Sequence, residues 1–238
     1  MSEKRAFVIV GMAGSGKSTF ADCLYKWMNN KSIYTINLDP ATLNVKMHVD
    51  EDIRSKVNYK LTMEEYNLGP NGGIITCLNL YMLNISSIIK SITSDNLIID
   101  TPGQIEAFTW SSPGQVLIDT LKENNYKIFL IYTIDTYYSS SSGVFMSNMI
   151  YASSLMSKFQ VKTIALFNKI DLSECSTVMN WIKNYESFLN SLNYDLITDT
   201  TYHSMALYFE EFYNSIQSVG ISSIQNKGRE DFFKILDE

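Results

Sequence analysis

The sequence predicts an α/β fold in which helices flank a mostly parallel β-sheet. Short aliphatic runs alternate along the chain with longer amphipathic stretches, which is typical of buried parallel strands connected by helices. A Gly-rich segment follows the first run directly, at the point where a strand passes into a helix. Two further polar motifs follow later runs, at the strand ends where such sheets bind ligands.

Composition restricts the class of protein. The chain has 238 residues, of which 45% are hydrophobic and 18% charged, and this fits one domain with a single large core. A net charge of −6 argues against a surface that binds nucleic acid by neutralising phosphates. The three cysteines and two histidines lack metal-ligand spacing, so we expect neither a zinc site nor disulfides. No apolar run approaches the roughly 18 residues of a membrane span, and no secretory signal is predicted.

Six runs are predicted to be strands, and helical spacing of apolar residues predicts the helices between them. The first helix begins within a few residues of the first strand. We predict one domain over residues 1–238, with an insertion at about residues 40–95 and a helical C-terminal region at about 175–238. The predicted strands are Ala6–Val10, Ile33–Leu38, Leu97–Ile99, Ile128–Ile134, Thr163–Phe167 and Val219–Ser222, and the later helices are Val144–Phe159, Met179–Leu192, Met205–Ile216 and Asp231–Leu236.

The Gly-rich segment Gly11–Ser18 reads Gly-Met-Ala-Gly-Ser-Gly-Lys-Ser and fits the P-loop pattern GxxxxGK[ST]. Glycines let the backbone turn so that successive N–H groups point at phosphates, and the N-terminus of the next helix adds its dipole. We predict that Lys17 reaches the β- and γ-phosphates and that the Ser18 hydroxyl binds Mg²⁺. The predicted nucleotide contacts of this segment are Gly14, Ser15, Gly16, Lys17, Ser18 and Thr19. The fold is therefore predicted to be that of a P-loop NTPase.

A second motif, Asp-Thr-Pro-Gly-Gln, begins at Asp100 after the third predicted strand. Asp100 is placed to hold Mg²⁺ through water, and the Gly103 backbone N–H to turn towards the γ-phosphate. Gln104 and Glu106 are candidates for orienting the attacking water. Asp39, at the end of the second strand, is a candidate for the Mg²⁺ hydration shell or for that water. The residues predicted from these motifs to be catalytic are Lys17, Asp39, Asp100, Gln104 and Glu106, and Gly103 is a predicted nucleotide contact.

A third motif, Asn168-Lys169-Ile-Asp171, follows the fifth predicted strand. A carboxylate can accept two hydrogen bonds from guanine N1–H and N2–H₂, a donor arrangement that adenine lacks. Two charge-assisted bonds correspond to about a 10²–10⁴-fold preference for guanine. The motif therefore predicts GTP or GDP as the ligand. Ser222, beyond the last predicted strand, either closes over the base through backbone groups or is a simple loop residue.

These motifs, with Gly-Pro-Asn-Gly-Gly at Gly69–Gly73, make the chain resemble the GPN-loop GTPases, and within them the first paralogue group. The resemblance covers essentially the whole chain. It implies a P-loop fold of the dimerising, SIMIBI-like class that signal-recognition and septum-site GTPases and ATPases share. The other matching stretches are Asn37–Ala41, Ile99–Glu106, Phe108–Trp110 and Phe145–Met149.

The resemblance also implies partners and a cellular role. It implies a homodimer, or a heterodimer with a GPN-loop paralogue, in which Asn71 enters the partner subunit's site, contacts the phosphates and acts as a further catalytic residue. From the residues alone, a tight turn is the favoured interpretation of Gly69–Gly73. It further implies a role in RNA polymerase II assembly and nuclear import, with polymerase subunits as clients. We expect a cytoplasmic location without direct contact to nucleic acid or membrane, and the resemblance leaves shuttling to the nucleus open.

The predicted activity is Mg²⁺-dependent hydrolysis of GTP by in-line attack of water. One alternative is a P-loop kinase for a small molecule or nucleotide. Such a kinase would need an Arg-rich lid, whereas the sequence contains only three arginines, Arg5, Arg54 and Arg229. The other alternative is an assembly chaperone that uses GTP only as a structural ligand. The intact Asp100 and Gln104 argue against it.

Overall fold

The computed structural model describes residues 3–28, 32–173, 175–192 and 216–237. The predicted helix Met205–Ile216 lies outside these residues, apart from its last position. Contacts divide the chain into two compact units, Met1–Ile131 and Tyr132–Glu238. Each unit is built on strands that the sequence predicts.

The strands are β1 (Arg5–Gly11), β2 (Ile33–Asn37), β3 (Glu51–Asp52), β4 (Asn96–Asp100), β5 (Lys127–Asp135), β6 (Lys162–Asn168) and β7 (Gln217–Gly220). In the described chain they form one sheet in the order β3-β2-β4-β1-β5-β6-β7. The pairs β1–β4, β2–β4, β2–β3 and β6–β7 are parallel. A parallel sheet with buried strands and flanking helices confirms the predicted fold class.

Helices follow the strands in both units. The helices of the first unit are α1 (Lys17–Trp27), α2 (Ile53–Lys56), α3 (Tyr59–Glu65), α4 (Pro70–Met82), α5 (Ile85–Ser91), α6 (Ile105–Thr109) and α7 (Ser112–Glu123). Those of the second are α8 (Ser142–Phe159), α9 (Ser176–Lys183), α10 (Tyr185–Asn190) and α11 (Arg229–Asp237), with a short 3₁₀ helix at Tyr138–Ser140.

The core of the first unit lies around β1 and β4. Ala6–Val10 and Leu97–Ile99 are completely buried, as expected of central strands covered on both faces. Phe7 stacks on Phe129 of β5 with ring centroids 5.4 Å apart. Burial of these continuous apolar runs fixes the strand ends that carry the polar motifs.

Two predicted elements have different boundaries in the structure. The last strand was predicted as Val219–Ser222, but it ends two residues earlier because Ser222 pairs with Lys227 in an antiparallel bridge. The predicted helix Met179–Leu192 is wrong as a single helix. It is divided into α9 and α10 because Asn184 is extended and its side chain caps the second helix.

The Gly69–Gly73 segment is the start of a helix, which corrects its interpretation as a loop or turn. Pro70 is the first residue of α4, where the missing N–H leaves no helical bond unmade. A Cβ atom on Gly73 would lie 2.5 Å from Met63 Cγ and 2.8 Å from Tyr59 Cε2. Glycine is therefore needed there because α3 packs closely on α4, and not because the segment is free to bend.

Helix α4 is followed closely by α5, and six residues of α4 are buried. Considered as a pair with a bend of 56° between them, they satisfy the length and composition of a broken membrane span. No single helix among the described residues is long and apolar enough to cross a membrane.

Candidate functional site

The turn between β1 and α1 forms a phosphate cradle. Gly14 and Gly16 have φ angles of +80° and +94°, which residues with side chains rarely adopt. Lys17 Nζ donates to the backbone oxygen of Met12 at 3.0 Å, and Ser15 N donates to the same oxygen at 3.2 Å. The loop is thereby curled around its own lysine, with the backbone at the N-terminus of α1 facing the place where a phosphate would bind.

The charges beside the cradle are buried. Lys17 is 6% exposed, and burial lowers its pKa while the Asp100 and Asp39 carboxylates oppose that shift. Burial raises the pKa of Asp100 to about 6, against the hydrogen bond from Ser18 and the charge of Lys17. Asp100 Oδ1 is buried without a hydrogen-bond partner in the part of the chain that the structure describes. This oxygen is therefore available to a cation or to water.

These oxygen atoms suit Mg²⁺. The Ser18 hydroxyl and the Asp100 and Asp39 carboxylates are the hard donors that this ion prefers. Among the described residues there is no group of three or more His, Cys, Asp or Glu side chains that would enclose a metal. Such a donor set fits an ion that keeps several waters and takes its remaining oxygens from phosphates.

Asp39 and Gly103, predicted from separate motifs, are in direct contact. Gly103 N donates to Asp39 Oδ2 at 3.2 Å, and Ala41 N donates to Asp39 Oδ1 at 2.9 Å. The Gly103 N–H, predicted to turn towards a γ-phosphate, is thus bound to a carboxylate in this conformation. A γ-phosphate would have to compete with Asp39 for that donor.

Two other predicted catalytic residues meet within one chain. Gln104 Nε2 donates to Asn71 Oδ1, which brings the start of α4 to the residue that caps α6. Glu106 is exposed in the first turn of α6, and in the described chain no side-chain hydrogen bond joins it to the other predicted residues. The structure therefore brings Asn71 to Gln104 and leaves Glu106 apart.

In the second unit, the third motif is held by the turn after β7. Asn168 Oδ1 accepts hydrogen bonds from Ser223 N at 3.2 Å and Ser223 Oγ at 2.9 Å. Ser222 Oγ donates to Asp171 Oδ1 at 2.5 Å. Ser222 thus reaches the motif through its hydroxyl, a contact that the sequence did not indicate, and its closure over the base through backbone groups stays a prediction. These bonds fix the carboxylate that is predicted to bind the base.

The structure also assigns contacts that the sequence did not indicate. Lys169 has a left-handed backbone with φ +67°, and its Nζ pairs with Asp135 Oδ2 at 2.6 Å. Thr136 Oγ1 donates to the Asn168 carbonyl at 2.6 Å. Asp135 is the acidic residue at the end of β5, so its position on a strand end was the available signal. Lys46 Nζ donates to Thr19 Oγ1 at 3.0 Å, and nothing in the sequence pattern predicts this contact.

Comparison with known proteins gives consistent relatives. A family model described as "Conserved hypothetical ATP binding protein" matches residues 9–238. GPN-loop GTPase 1 of Dictyostelium discoideum is 38% identical over 239 residues, covering 95% of this chain and 59% of that protein. GPN-loop GTPase 1 of Schizosaccharomyces pombe is 37% identical over 246 residues, covering 96% of this chain and 67% of that protein. Arabidopsis thaliana GPN-loop GTPase QQT2 is 38% identical, and the chain spans 62% of its length.

A solved structure supports the fold. The crystal structure of a Pyrococcus abyssi GTPase in its apo form superposes with a TM-score of 0.85 at 22% identity, covering 97% of this chain and 95% of that one. At this identity the likeness concerns the fold alone. The sequence relatives establish the family because they match nearly all of this chain. The chain therefore belongs to the GPN-loop GTPase family.

Proposed function

We propose that the chain binds GTP with Mg²⁺ and hydrolyses it by in-line attack of water on the γ-phosphate. The observation that carries this proposal is the buried Asp100, joined to Ser18 beside the P-loop and keeping one oxygen unpaired among the described residues. A buried carboxylate oxygen without a hydrogen-bond partner is unfavourable, so its retention favours a role with a cation. Bound Mg²⁺ would supply positive charge to the phosphate oxygens.

Residues of the chain itself are proposed to bind the phosphates, neutralise charge and position the attacking water. The P-loop backbone binds the phosphates, and Lys17 neutralises charge that builds up on the transferred group. The Gly103 N–H passes from Asp39 to the γ-phosphate, which frees the Asp39 carboxylate to orient water. Gln104 is the second residue proposed to position that water.

The proposed base is guanine. Ser222 occupies Oδ1 of Asp171 and holds the side chain in one orientation, which supports its use as a fixed acceptor. The description of the matching family model names ATP, so base choice needs a direct measurement. Competition between GTP and ATP for the ligand-free chain provides it, and equal affinities would contradict the proposal.

A turnover experiment tests hydrolysis and the metal together. Phosphate release is followed over many turnovers while Mg²⁺ is titrated, for the wild type and for Ser18→Ala. Loss of the hydroxyl should raise the Mg²⁺ concentration needed for half-maximal rate by about tenfold or more, because losing a direct ligand weakens metal binding at least as much as losing a group that only hydrogen-bonds to a ligand. Nucleotide affinity in EDTA is the control and should change little.

The result also separates the alternatives. An unchanged Mg²⁺ requirement in Ser18→Ala would remove that residue from the metal shell. Release of less than one phosphate per chain would favour a chaperone that keeps GTP as a structural ligand. Transfer of the phosphate to an added acceptor would favour a kinase.

We further infer that the chain acts as a dimer, with itself or with a GPN-loop paralogue, and assists cytoplasmic assembly and nuclear import of RNA polymerase II. Its similarity to relatives of the first paralogue group supports this role. Affinity capture with the chain locked in its GTP-bound form tests it. Polymerase subunits and a second GPN protein or second copy should co-purify, and Lys17→Ala should lose the polymerase subunits. Capture of the same proteins by both forms would contradict a GTP-dependent role.

A further inference from the structure

A continuous series of hydrogen bonds begins at Arg54, in the short helix α2. The Arg54 guanidinium grips both oxygens of Asp52, with Nε 3.0 Å from Oδ1 and Nη2 2.7 Å from Oδ2. Asp52 Oδ1 also accepts from Asn37 Nδ2 at 3.1 Å. This fork-to-fork pairing is geometrically rigid, because both partners are planar and share parallel bonds.

The series continues to the γ-phosphate motif. Asn37 Oδ1 accepts from Asp39 N at 3.2 Å, and Asn37 Nδ2 donates to the Asp39 carbonyl at 3.3 Å. Asp39 Oδ2 in turn accepts from Gly103 N at 3.2 Å. Asn37 is 1% exposed, so water cannot readily replace these bonds. The position of Asp39 is therefore determined by a residue on a separate helix.

Arg54 also holds the loop on the other side of Asp39. Its Nη1 donates to the carbonyl of Thr42 at 3.1 Å and lies 3.4 Å from that of Leu43. Burial opposes ionisation of Asp52, but the hydrogen bonds from Arg54 and Asn37 outweigh it and lower the pKa of Asp52. Asp52 is thus kept as a charged acceptor. Arg54 restrains Asp39 through Asp52 and Asn37 on one side and through the Thr42 carbonyl on the other.

We propose that Arg54 is a positioning residue for nucleotide hydrolysis, which keeps Asp39 against Gly103 and so controls how readily the Gly103 N–H is released to a γ-phosphate. This inference rests on the proposed function. Without Arg54, Asp39 competes less well for the N–H, so a GTP analogue gains affinity relative to GDP. The same loosening displaces Asp39 from the water that it is proposed to orient, so hydrolysis slows.

The experiment compares Arg54→Gln with Lys56→Gln. Lys56 lies two residues further along α2, and its ion pair with Glu51 is long at 3.9 Å, so it matches Arg54 in charge and location without joining the series. For Arg54→Gln, the affinity for a non-hydrolysable GTP analogue relative to GDP should rise about three- to tenfold, the size of one hydrogen bond. The single-turnover rate should fall about tenfold or more. Lys56→Gln should leave both unchanged.

Arg54→Lys and Asp52→Asn extend the test. Lysine keeps the charge but not the fork, so Arg54→Lys should behave like Arg54→Gln. The double variant Arg54→Gln with Asp52→Asn should be no slower than the slower single variant, because the two residues act in series. If the rate losses of the two single variants add up in the double variant, the two residues do not act in series, which would contradict the inference.

Hydrogen exchange on the nucleotide-free protein gives a readout that is independent of hydrolysis. The Gly103 amide should exchange faster in Arg54→Gln than in the wild type, and should stay protected in Lys56→Gln. Unchanged exchange together with an unchanged affinity ratio would overturn the inference. If the wild type fails to hydrolyse GTP, the proposed function falls, while exchange and affinities still decide the role of Arg54. If Arg54→Gln lowers the affinities for the GTP analogue and GDP equally and also lowers the thermal stability, Arg54 has a purely structural role.

Discussion

At the scale of single residues, Asp100 is a buried carboxylate, which the packing of the fold does not require. It is 3% exposed at the end of β4, and burial raises its pKa to about 6. The charged form is thus unfavourable in the nucleotide-free protein, and its cost would be offset when a cation binds. Function and stability are opposed at this one side chain.

This opposition predicts a pH dependence. The pKa of Asp100 is near 3.8 in an unfolded chain and about 6 in the folded one. Between these values the folded chain holds a proton that the unfolded chain has lost, so the free energy of unfolding falls as pH rises from about 4 to about 6. Asp100→Asn should therefore be more stable than the wild type at pH 7, by at most about 3 kcal/mol.

Urea denaturation in EDTA without nucleotide measures this difference. The stability gap between Asp100→Asn and the wild type should shrink as pH falls from 6 to 4, since the wild-type carboxyl then becomes protonated. A gap that stays constant across this range would show that the charge of Asp100 is not responsible.

Base choice also belongs to this scale. Asp171→Asn should lower GTP affinity by about 10²-fold or more, because one charged acceptor for two guanine donors is lost. XTP affinity should rise, because the new amide can donate to the carbonyl that replaces the guanine amino group. Competition binding measures both, and ATP affinity is the control that should not change.

Individual site residues were predictable where a backbone pattern marks them. Lys17, Asp100 and Asn168 follow strand ends or a Gly-rich turn, so their positions are visible in the sequence. Arg54 is not marked in this way, and Asp135 is marked only by its place at the end of β5. The Thr42 carbonyl that Arg54 contacts lies 12 residues away in sequence, and Lys169, the partner of Asp135, lies 34 residues away, so only the folded chain brings these groups together.

At the scale of elements, the close packing of α3 on α4 predicts that two adjacent glycines of α4 differ in their tolerance of a side chain. A Cβ at position 73 would overlap Met63 and Tyr59, whereas a Cβ at Gly72 would meet Leu68 Cδ2 at 3.4 Å, an ordinary contact. Gly73→Ala should lower the free energy of unfolding by about 1–3 kcal/mol. Gly72→Ala should match or exceed wild-type stability, because alanine favours helix.

Thermal and urea unfolding of the two variants decide this point. Each change adds one methyl group to the same helix, so Gly72→Ala is a matched control for Gly73→Ala. Equal stabilities of the two variants would show that α3 can move away from α4 at little cost.

Elements were predicted best where burial is continuous. The aliphatic runs of β1, β4 and β5 are fixed by their own sequence, and the structure differs there by only one residue at each end. The strand β3 has only two residues, which are too few to show the alternation of apolar and polar residues that predicts a strand. The break at Asn184 depends on a cap that competes with helix continuation, which apolar spacing does not detect.

At the scale of the whole molecule, the role of Asn71 depends on assembly. The chain shows Asn71 in contact with its own Gln104, whereas the resemblance implies that it acts in the partner subunit's site. Asn71→Ala should bind GTP nearly normally but hydrolyse it slowly, because the lost contact matters most as charge develops. Lys17→Ala should bind GTP poorly while keeping its own Asn71.

Mixing these two variants tests action between subunits. Each mixed dimer would contain one complete site, so phosphate release should recover part of the wild-type rate. Size-exclusion chromatography with differently tagged chains must show that mixed dimers form. If they form and activity stays at the level of either variant alone, Asn71 acts within its own chain.

The helix that carries Asn71 has a mechanical consequence. Asn71 is the second residue of α4, which has 13 residues and is thus about 20 Å long. A rotation of about 5° around the far end, near the buried Met82, would move Asn71 by about 1.5–2 Å. A hydrogen bond tolerates only a few tenths of an ångström. A tilt of α4 by about 5° would therefore be enough to break or form the Asn71–Gln104 hydrogen bond.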